Sequence, residues 1–165
     1  MLSAHNELTI RPLADGAEAE ACARLMANSD PWLKLGRGYD VQLKFMLNAT
    51  RERYVACLGE TFAGFLVLNM NGALVGYIQT IAVVPELRGR GIGSSMIRFA
   101  EDRIFRDHAN VFLCVSSFNA SARELYERSG YWKVGEFADF FLPGHSEILL
   151  RKSRGPIANY RAEKS

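Results

Sequence analysis

Two arginines and three glycines alternate in a pattern that is suited to binding phosphate. Arg88 and Arg90 are interleaved with Gly89, Gly91 and Gly93, and an apolar, β-branched run precedes them. Glycine lets the backbone approach a ligand closely and turn its N–H groups toward it. Because helical spacing of apolar residues follows Gly93, the free N–H groups and positive dipole end of a helix also favour an anion here. The two guanidinium groups add charge and can bind phosphate through paired hydrogen bonds.

The spacing of these glycines excludes two common phosphate loops. A P-loop needs a lysine after its last glycine, whereas Ser94 follows Gly93. A dinucleotide-binding loop needs a third glycine at a position that Ser94 or Met96 occupies here. What remains is Arg-x-x-Gly-x-Gly, formed by Arg88, Gly91 and Gly93. Taken alone, this pattern also suits an ordinary strand-to-helix turn.

A second motif lies one predicted helix and one predicted strand further along. It reads Asn-x-x-Ala-x-x-Leu-Tyr-x-x-x-Gly, from Asn119 through Leu125 and Tyr126 to Gly130. With the first motif it resembles the GNAT superfamily of acyl-CoA N-acyltransferases. The two motifs and their connection span Tyr77 to Tyr131, and the pair is much more specific than either motif alone.

The resemblance implies a binding mode for acetyl-CoA. The backbone of Ile81 and Val83 would pair with the pantetheine arm, Asn119 would contact the same region, and Tyr126 would protonate the departing thiolate. Asn119 can equally cap a helix, and Tyr126 can equally be a core residue. The pyrophosphate would lie on Arg88, Gly89, Arg90, Gly91, Ile92, Gly93 and Ser94.

The general base is not evident. Many relatives carry a glutamate on one of two central strands, where this chain has Tyr77, Gln79 and Cys114. The amine could lose its proton to water, to a loop residue or to no dedicated group. The loop candidates are Asp40, Glu136, Asp139 and His145. Cys114 lacks a histidine nearby in sequence that could activate it as a nucleophile.

Three residues are candidates for contact with the acceptor. Trp32 and Tyr39 flank a glycine-containing segment that is either a substrate-facing lid or a packed loop, and Gln79 lies on a central strand. We predict an acetyl-CoA-dependent N-acetyltransferase that acetylates a primary amine, either a small molecule or a peptide, by direct transfer. The alternatives are a non-catalytic acyl-CoA sensor or docking module and a nucleotide-phosphate binder.

Composition sets broader limits. The 165 residues are 48% hydrophobic with a net charge of +2, which predicts one globular domain over residues 1–152 and argues against a nucleic-acid binder. Three cysteines without CxxC spacing predict neither a metal site nor a disulfide framework. Without an apolar leader or a long apolar run, we expect a cytoplasmic protein with no membrane partner. Residues 153–165 are expected to be a loose polar tail, and a monomer and a homodimer both remain open.

The predicted element order is β-α-α-β-β-β-α-β-α-β-β. It implies an α/β (α+β) fold with a mixed, mostly antiparallel sheet of about seven strands and helices on both faces, as in GNAT proteins. Asn71-Gly72 predicts a tight hairpin. Helices are predicted at 14–28, 40–48, after Gly93 and from Asn119 to Gly130, and strands at 8–13, 53–58, 62–70, 74–84, 111–115, 131–141 and 146–150.

Overall fold

The computed structural model describes residues 7–162. Residues 1–6 and 163–165 lie outside this range, and they include most of the N-terminal segment and the end of the predicted tail. The helices are α1 (Gly16–Ala27), α2 (Tyr39–Met46), α3 (Ile92–Phe105) and α4 (Ala120–Arg128). The strands are β1 (Leu8–Pro12), β2 (Glu52–Leu58), β3 (Thr61–Asn69), β4 (Tyr77–Val83), β5 (Asn110–Ser116), β6 (Trp132–Phe137) and β7 (Glu147–Ser153).

The described strands form one sheet in the order β1-β2-β3-β4-β5-β7-β6. Pairs β1–β2, β2–β3, β5–β7 and β6–β7 are antiparallel, whereas β4 and β5 are parallel. The predicted mixed, mostly antiparallel sheet of seven strands is therefore confirmed. The parallel pairing covers only Tyr77↔Phe112 and Ile78↔Leu113, so it stops well before β4 ends at Val83.

Chain contacts divide the protein into two compact units that share β4 and α3. Unit 1 comprises the residues up to Leu68 together with Thr80–Ala100. Its helix α1 begins at Gly16, because the Asp15 side chain caps it by accepting a hydrogen bond of 3.0 Å from the Glu18 N–H. The core of unit 1 contains Ala19, Cys22, Met26, Met46, Val55, Cys57, Phe65, Val67 and Ala82.

Unit 2 comprises Asn69–Gln79 and the residues from Glu101 onward. Its central pair, β5 and β7, stays in register from Asn110↔Ser153 to Ser116↔Glu147. One face of this pair is apolar and buried, with Val111, Leu113, Val115, Ile148 and Leu150 at alternate positions. As predicted, α4 is capped by Asn119, and Gly130 adopts a left-handed φ of 91° just beyond its end.

Three predictions about the connections were wrong. Asn71-Gly72 lies within a seven-residue connection, 70–76, and β4 begins only after Gly76. Gly76 has a φ of 83°, and a Cβ there would lie 2.6 Å from the Asn110 carbonyl, so this close approach delays the strand. β6 ends at Phe137 and not at Phe141, because Asp139 accepts a hydrogen bond of 2.6 Å from the Gly144 N–H and closes a turn.

The segment after β7 begins with contacts to residues near the end of α3. The Arg154 N–H donates to the Ala109 carbonyl at 2.9 Å, and its guanidinium lies 4.3 Å from the centre of the Phe105 ring. A single 3-10 turn follows at Ile157–Asn159. None of the helices within residues 7–162 is long and apolar enough to cross a membrane.

Candidate active site

The glycine-rich turn between β4 and α3 leaves open space above its backbone. Gly89 and Gly91 have φ values of 74° and 79°, which L side chains rarely adopt. A Cβ added at either glycine would meet no heavy atom within 4 Å. Arg88 and Arg90 are exposed beside them. The turn therefore needs glycine for its conformation, and the space that a side chain would fill is available to a ligand.

The start of α3 presents backbone donors at this turn. The first hydrogen bond of the helix runs from the Ser95 N–H to the Gly91 carbonyl at 3.0 Å. The N–H groups of Ile92, Gly93 and Ser94 precede it and have no acceptor within the helix. Together with the helix dipole and the two arginines, they form a site that fits a pyrophosphate.

The backbone of β4 also has N–H and carbonyl groups that point away from β3. The Val84 N–H donates to the Ala63 carbonyl in β3 at 2.9 Å, so the Val83 carbonyl in the same peptide points away from β3. That carbonyl accepts a 3.2 Å hydrogen bond from Arg88 Nε. The Ala82 carbonyl points toward β3, because a Cβ on Gly64 would lie 2.3 Å from it. The Val83 N–H therefore also points away from β3, and Ile81 repeats this orientation two residues earlier.

Asn119 and Tyr126 lie in unit 2, where both have structural contacts. Asn119 Oδ1 accepts from the Ala122 N–H at 3.4 Å and caps α4. The Tyr126 ring is buried and meets the Tyr131 ring edge-on, with 5.9 Å between centroids. Burial raises the pKa of Tyr126 to about 12, so the phenol keeps its proton throughout the neutral range.

Cys114 does not have the character of a nucleophile. Burial raises the pKa of its thiol, and the negative charge of Glu147 raises it further. A hydrogen bond from the Tyr77 hydroxyl opposes these effects without reversing them. The pKa of Tyr77 is itself raised, chiefly by burial. Cys114 is therefore a protonated thiol at neutral pH, which favours a mechanism without an acyl-enzyme intermediate.

Glu147 is a buried carboxylate that sequence reasoning missed. Its residue surface is 7% exposed, and the Ser116 hydroxyl donates a short hydrogen bond to its Oε1. The two residues lie directly opposite each other on β5 and β7 although 31 positions separate them in the chain. The sequence pattern directs attention to the two central strands and the loops, whereas Glu147 is the first residue of the last strand. Only the cross-strand register could have revealed it.

The loop candidates for the base all lie at the surface. Glu136 forms an ion pair with Lys133, which lowers the pKa of this exposed carboxyl. Asp139 holds the turn before β7. His145 contacts the Phe118 ring edge-on at 5.2 Å, and Asp40 is exposed in the first turn of α2. None of these four side chains is buried.

The acceptor candidates differ in their surroundings. Trp32 is half-buried and packs against the core of unit 1, which favours the packed-loop interpretation. Tyr39 is half-buried as the first residue of α2. Gln79 Oε1 is buried and accepts no hydrogen bond from any described residue. Within residues 7–162, no group of three His, Cys, Asp or Glu side chains could hold a metal ion, and the three cysteines are free thiols.

The structure thus groups the predicted site residues in two sets. Unit 1 brings together the backbone of Val83 and the whole turn from Arg88 to Ser94. Unit 2 contains Gln79, Asn119 and Tyr126, together with the buried Glu147.

Comparisons with known proteins identify the family and the fold. The model of the acetyltransferase (GNAT) family matches residues 19–131. The N-alpha-acetyltransferase RimI of Mycobacterium tuberculosis is 28% identical over 148 residues, which cover 84% of this chain and 89% of RimI. Spermidine N-acetyltransferase from Vibrio cholerae, solved with CoA and spermine, superposes with a TM-score of 0.71 at 19% identity, over 92% of this chain and 98% of that one. The ribosomal-protein-S18-alanine N-acetyltransferase of Escherichia coli gives a TM-score of 0.70 at 18% identity, over 91% and 96%.

Proposed function

Since the chain belongs to the acetyltransferase (GNAT) family and is an acetyl-CoA-dependent N-acetyltransferase, we propose that it acetylates the α-amine of a peptide or protein by direct transfer. The observation that carries the coenzyme assignment is the pair of left-handed glycines, Gly89 and Gly91, open to space at the start of α3. Direct transfer follows from the protonated state of the Cys114 thiol, which leaves no activated nucleophile at that position.

The pyrophosphate of acetyl-CoA would lie on the turn from Arg88 to Ser94. Three N–H groups at the start of α3 supply hydrogen bonds and a fixed positive dipole, at no cost of reorganisation. Arg88 and Arg90 add two charges. Because Arg88 Nε already donates to Val83, its position beside the strand is set before the ligand arrives.

The pantetheine arm would continue along β4. Its amide groups need backbone partners, and the N–H and carbonyl of Val83 point away from β3. Ile81, two residues earlier in β4, offers a backbone N–H and carbonyl with the same orientation. The arm would thus add to β4 as an extended strand does, with main-chain hydrogen bonds that fix its register. From the family resemblance, Asn119 would also contact the coenzyme while it keeps its capping role.

Tyr126 would act at the sulfur. A phenol with a pKa of about 12 remains a hydrogen-bond donor over the whole working range. A thiol has a pKa of about 8.5, so proton transfer to a fully formed thiolate is unfavourable. We therefore assign Tyr126 chiefly to donating a hydrogen bond to the sulfur as negative charge develops there. The donor stabilises the leaving group in the transition state and has little to stabilise in the ground state.

The choice of acceptor rests on relatives. RimI of M. tuberculosis is named an N-alpha-acetyltransferase and matches most of the chain. An α-amine has a pKa of about 8, so a useful fraction is neutral at physiological pH. Spermidine and related polyamines are the second acceptor class, because the V. cholerae structure contains spermine. The free cysteines favour a reducing compartment, and we place the reaction in the cytoplasm.

Thiol release from acetyl-CoA tests this function. We expect an alanine-initiated peptide to accelerate release and spermidine to do so less effectively. Mass spectrometry should then find one acetyl group on the peptide α-amine. If acetyl-CoA raises the melting temperature but no amine accelerates thiol release, the chain binds the coenzyme without using it, and the proposed function is wrong.

A further inference from the structure

Polar side chains gather on one face of unit 2, at the point where β4 and β5 stop pairing. Tyr77 is the partner of Phe112, and Ser116 is the partner of Glu147. Because side chains alternate along a strand, every second residue from these pairs shares their face of the sheet. That face carries Tyr77, Gln79, Cys114, Ser116 and Glu147.

Two of these side chains are acceptors suited to an amine. Glu147 presents a buried carboxylate whose orientation is fixed by the Ser116 hydroxyl. Gln79 Oε1 is buried with no donor from the described residues. Buried acceptors are normally hydrogen-bonded, so an orphaned one in an enzyme points to a donor on a ligand. A primary ammonium group carries three N–H donors and a positive charge. It can therefore pair with the Glu147 carboxylate and donate a hydrogen bond to Gln79 Oε1.

We propose that Glu147 is the general base for the acceptor, that Gln79 Oε1 holds the same amine by a hydrogen bond, and that Ser116 positions the carboxylate. This inference rests on the proposed acetyltransferase function and deepens it, because it names the residues that receive the amine. The carboxylate on β7 thus stands in for the glutamate that the central strands lack. Ser116 is a positioning residue, whereas Glu147 and Gln79 touch the substrate.

The proton and electron balance is complete with these groups. The ammonium gives one proton to Glu147, and the nitrogen lone pair forms the C–N bond to the thioester carbonyl carbon. The C–S bond then breaks, and its electron pair leaves on sulfur, which accepts a hydrogen bond from Tyr126 and takes a proton from water. The nitrogen releases its second proton to water, and Glu147 releases the first. Overall, one ammonium and one thioester give one amide, one CoA thiol and one proton.

The surroundings of Glu147 support this role. Tyr77 and Cys114 are titratable groups on the same face of the sheet as Glu147, and the pKa of each is raised. Both therefore hold their protons at neutral pH and add no negative charge beside the carboxylate. By contrast, the exposed Glu136 on the neighbouring strand β6 forms an ion pair with Lys133.

Glu147→Gln tests the proposal, because glutamine keeps the shape and can still accept from Ser116. With an alanine-initiated peptide we expect kcat/KM to fall roughly 100-fold at pH 6.0 and less than about 10-fold at pH 9.0, where the amine is already neutral. The melting-temperature rise given by acetyl-CoA should not change. Glu136→Gln is the matched control and should keep wild-type kinetics. Gln79→Leu should raise the KM of the peptide with a smaller effect on kcat.

Three outcomes would overturn the proposal. They are a wild-type rate in Glu147→Gln, a loss that is the same at every pH, and a loss matched by weaker acetyl-CoA binding. If Glu147→Gln fails to fold, Ser116→Ala takes its place and must show the same pH-dependent deficit, reduced in size. Failure of the proposed function itself is distinct, because the wild type would then release no thiol with any amine.

Discussion

Lys152 Nζ on β7 lies 2.7 Å from Glu101 Oε2 near the end of α3, and this ion pair is largely buried within unit 2. The Glu101 side chain is 11% exposed and that of Lys152 31%. The Lys152 ammonium also lies 5.8 Å from the centre of the Tyr131 ring. Since the Glu101 carboxylate is buried and Lys152 supplies the positive charge beside it, the carboxylate depends on Lys152 for its compensation.

Lys152→Met should therefore destabilise the protein by about 2–3 kcal/mol, because it leaves a buried carboxylate unpaired. The free energy of unfolding in urea at pH 7 measures the loss. The double variant Lys152→Met/Glu101→Leu should recover most of it, since both charges are then absent. Equal losses in the single and double variants would mean that packing, and not charge, explains the effect.

Gly91→Leu should abolish binding of acetyl-CoA, because the side chain would occupy the space above the turn. The left-handed backbone also adds strain of about 1–2 kcal/mol. Gly144→Leu is the matched control, since Gly144 has a φ of 77° and equally open surroundings. Both variants should lose similar stability, and only Gly91→Leu should lose the coenzyme-dependent rise in melting temperature. Retained binding in Gly91→Leu would remove the turn from the coenzyme site.

Tyr126→Phe should lower kcat on the order of 100-fold with little change in the KM of acetyl-CoA, because the phenol acts only as the sulfur leaves. Tyr131→Phe is the control, since its ring is the edge-on neighbour of Tyr126 and its hydroxyl has no assigned role in transfer. Steady-state thiol release at saturating coenzyme measures both. An unchanged turnover number in Tyr126→Phe would show that the phenol is only part of the core.

Cys22 should make the protein sensitive to alkali. Burial raises the pKa of this thiol from 9.0 to about 12 in the folded state. A group with a raised folded pKa stabilises the fold below its unfolded pKa and loses that contribution as pH rises. Cys22 alone should thus reduce the free energy of unfolding by about 1.4 kcal/mol per pH unit between pH 9 and 12. In Cys22→Ala the slope over this window should be smaller by that amount, and an identical slope would contradict the assignment.

Much of the fold could be predicted from local sequence. The caps at Asp15 and Asn119 and the stop at Gly130 mark helix ends through contacts only a few residues long. The buried run at 111–115 and the alternating apolar residues indicate strands for the same local reason. Predictions were wrong where a segment distant in sequence determines the local structure. Asn71-Gly72 suits a hairpin, but contact between Gly76 and Asn110 sets where β4 begins.

By itself, the sequence determined the family and the turn that we propose binds the coenzyme. Arg88 through Ser94 form one short stretch in which residue type, backbone freedom and the start of a helix are all local properties. Tertiary structure alone decided the surroundings of the proposed acceptor site. Ser116 and Glu147 meet because β5 and β7 pair in one particular register, and Gln79 Oε1 is orphaned because its neighbours offer no donor. Such relationships depend on strand pairing across the chain, which no spacing along the sequence encodes.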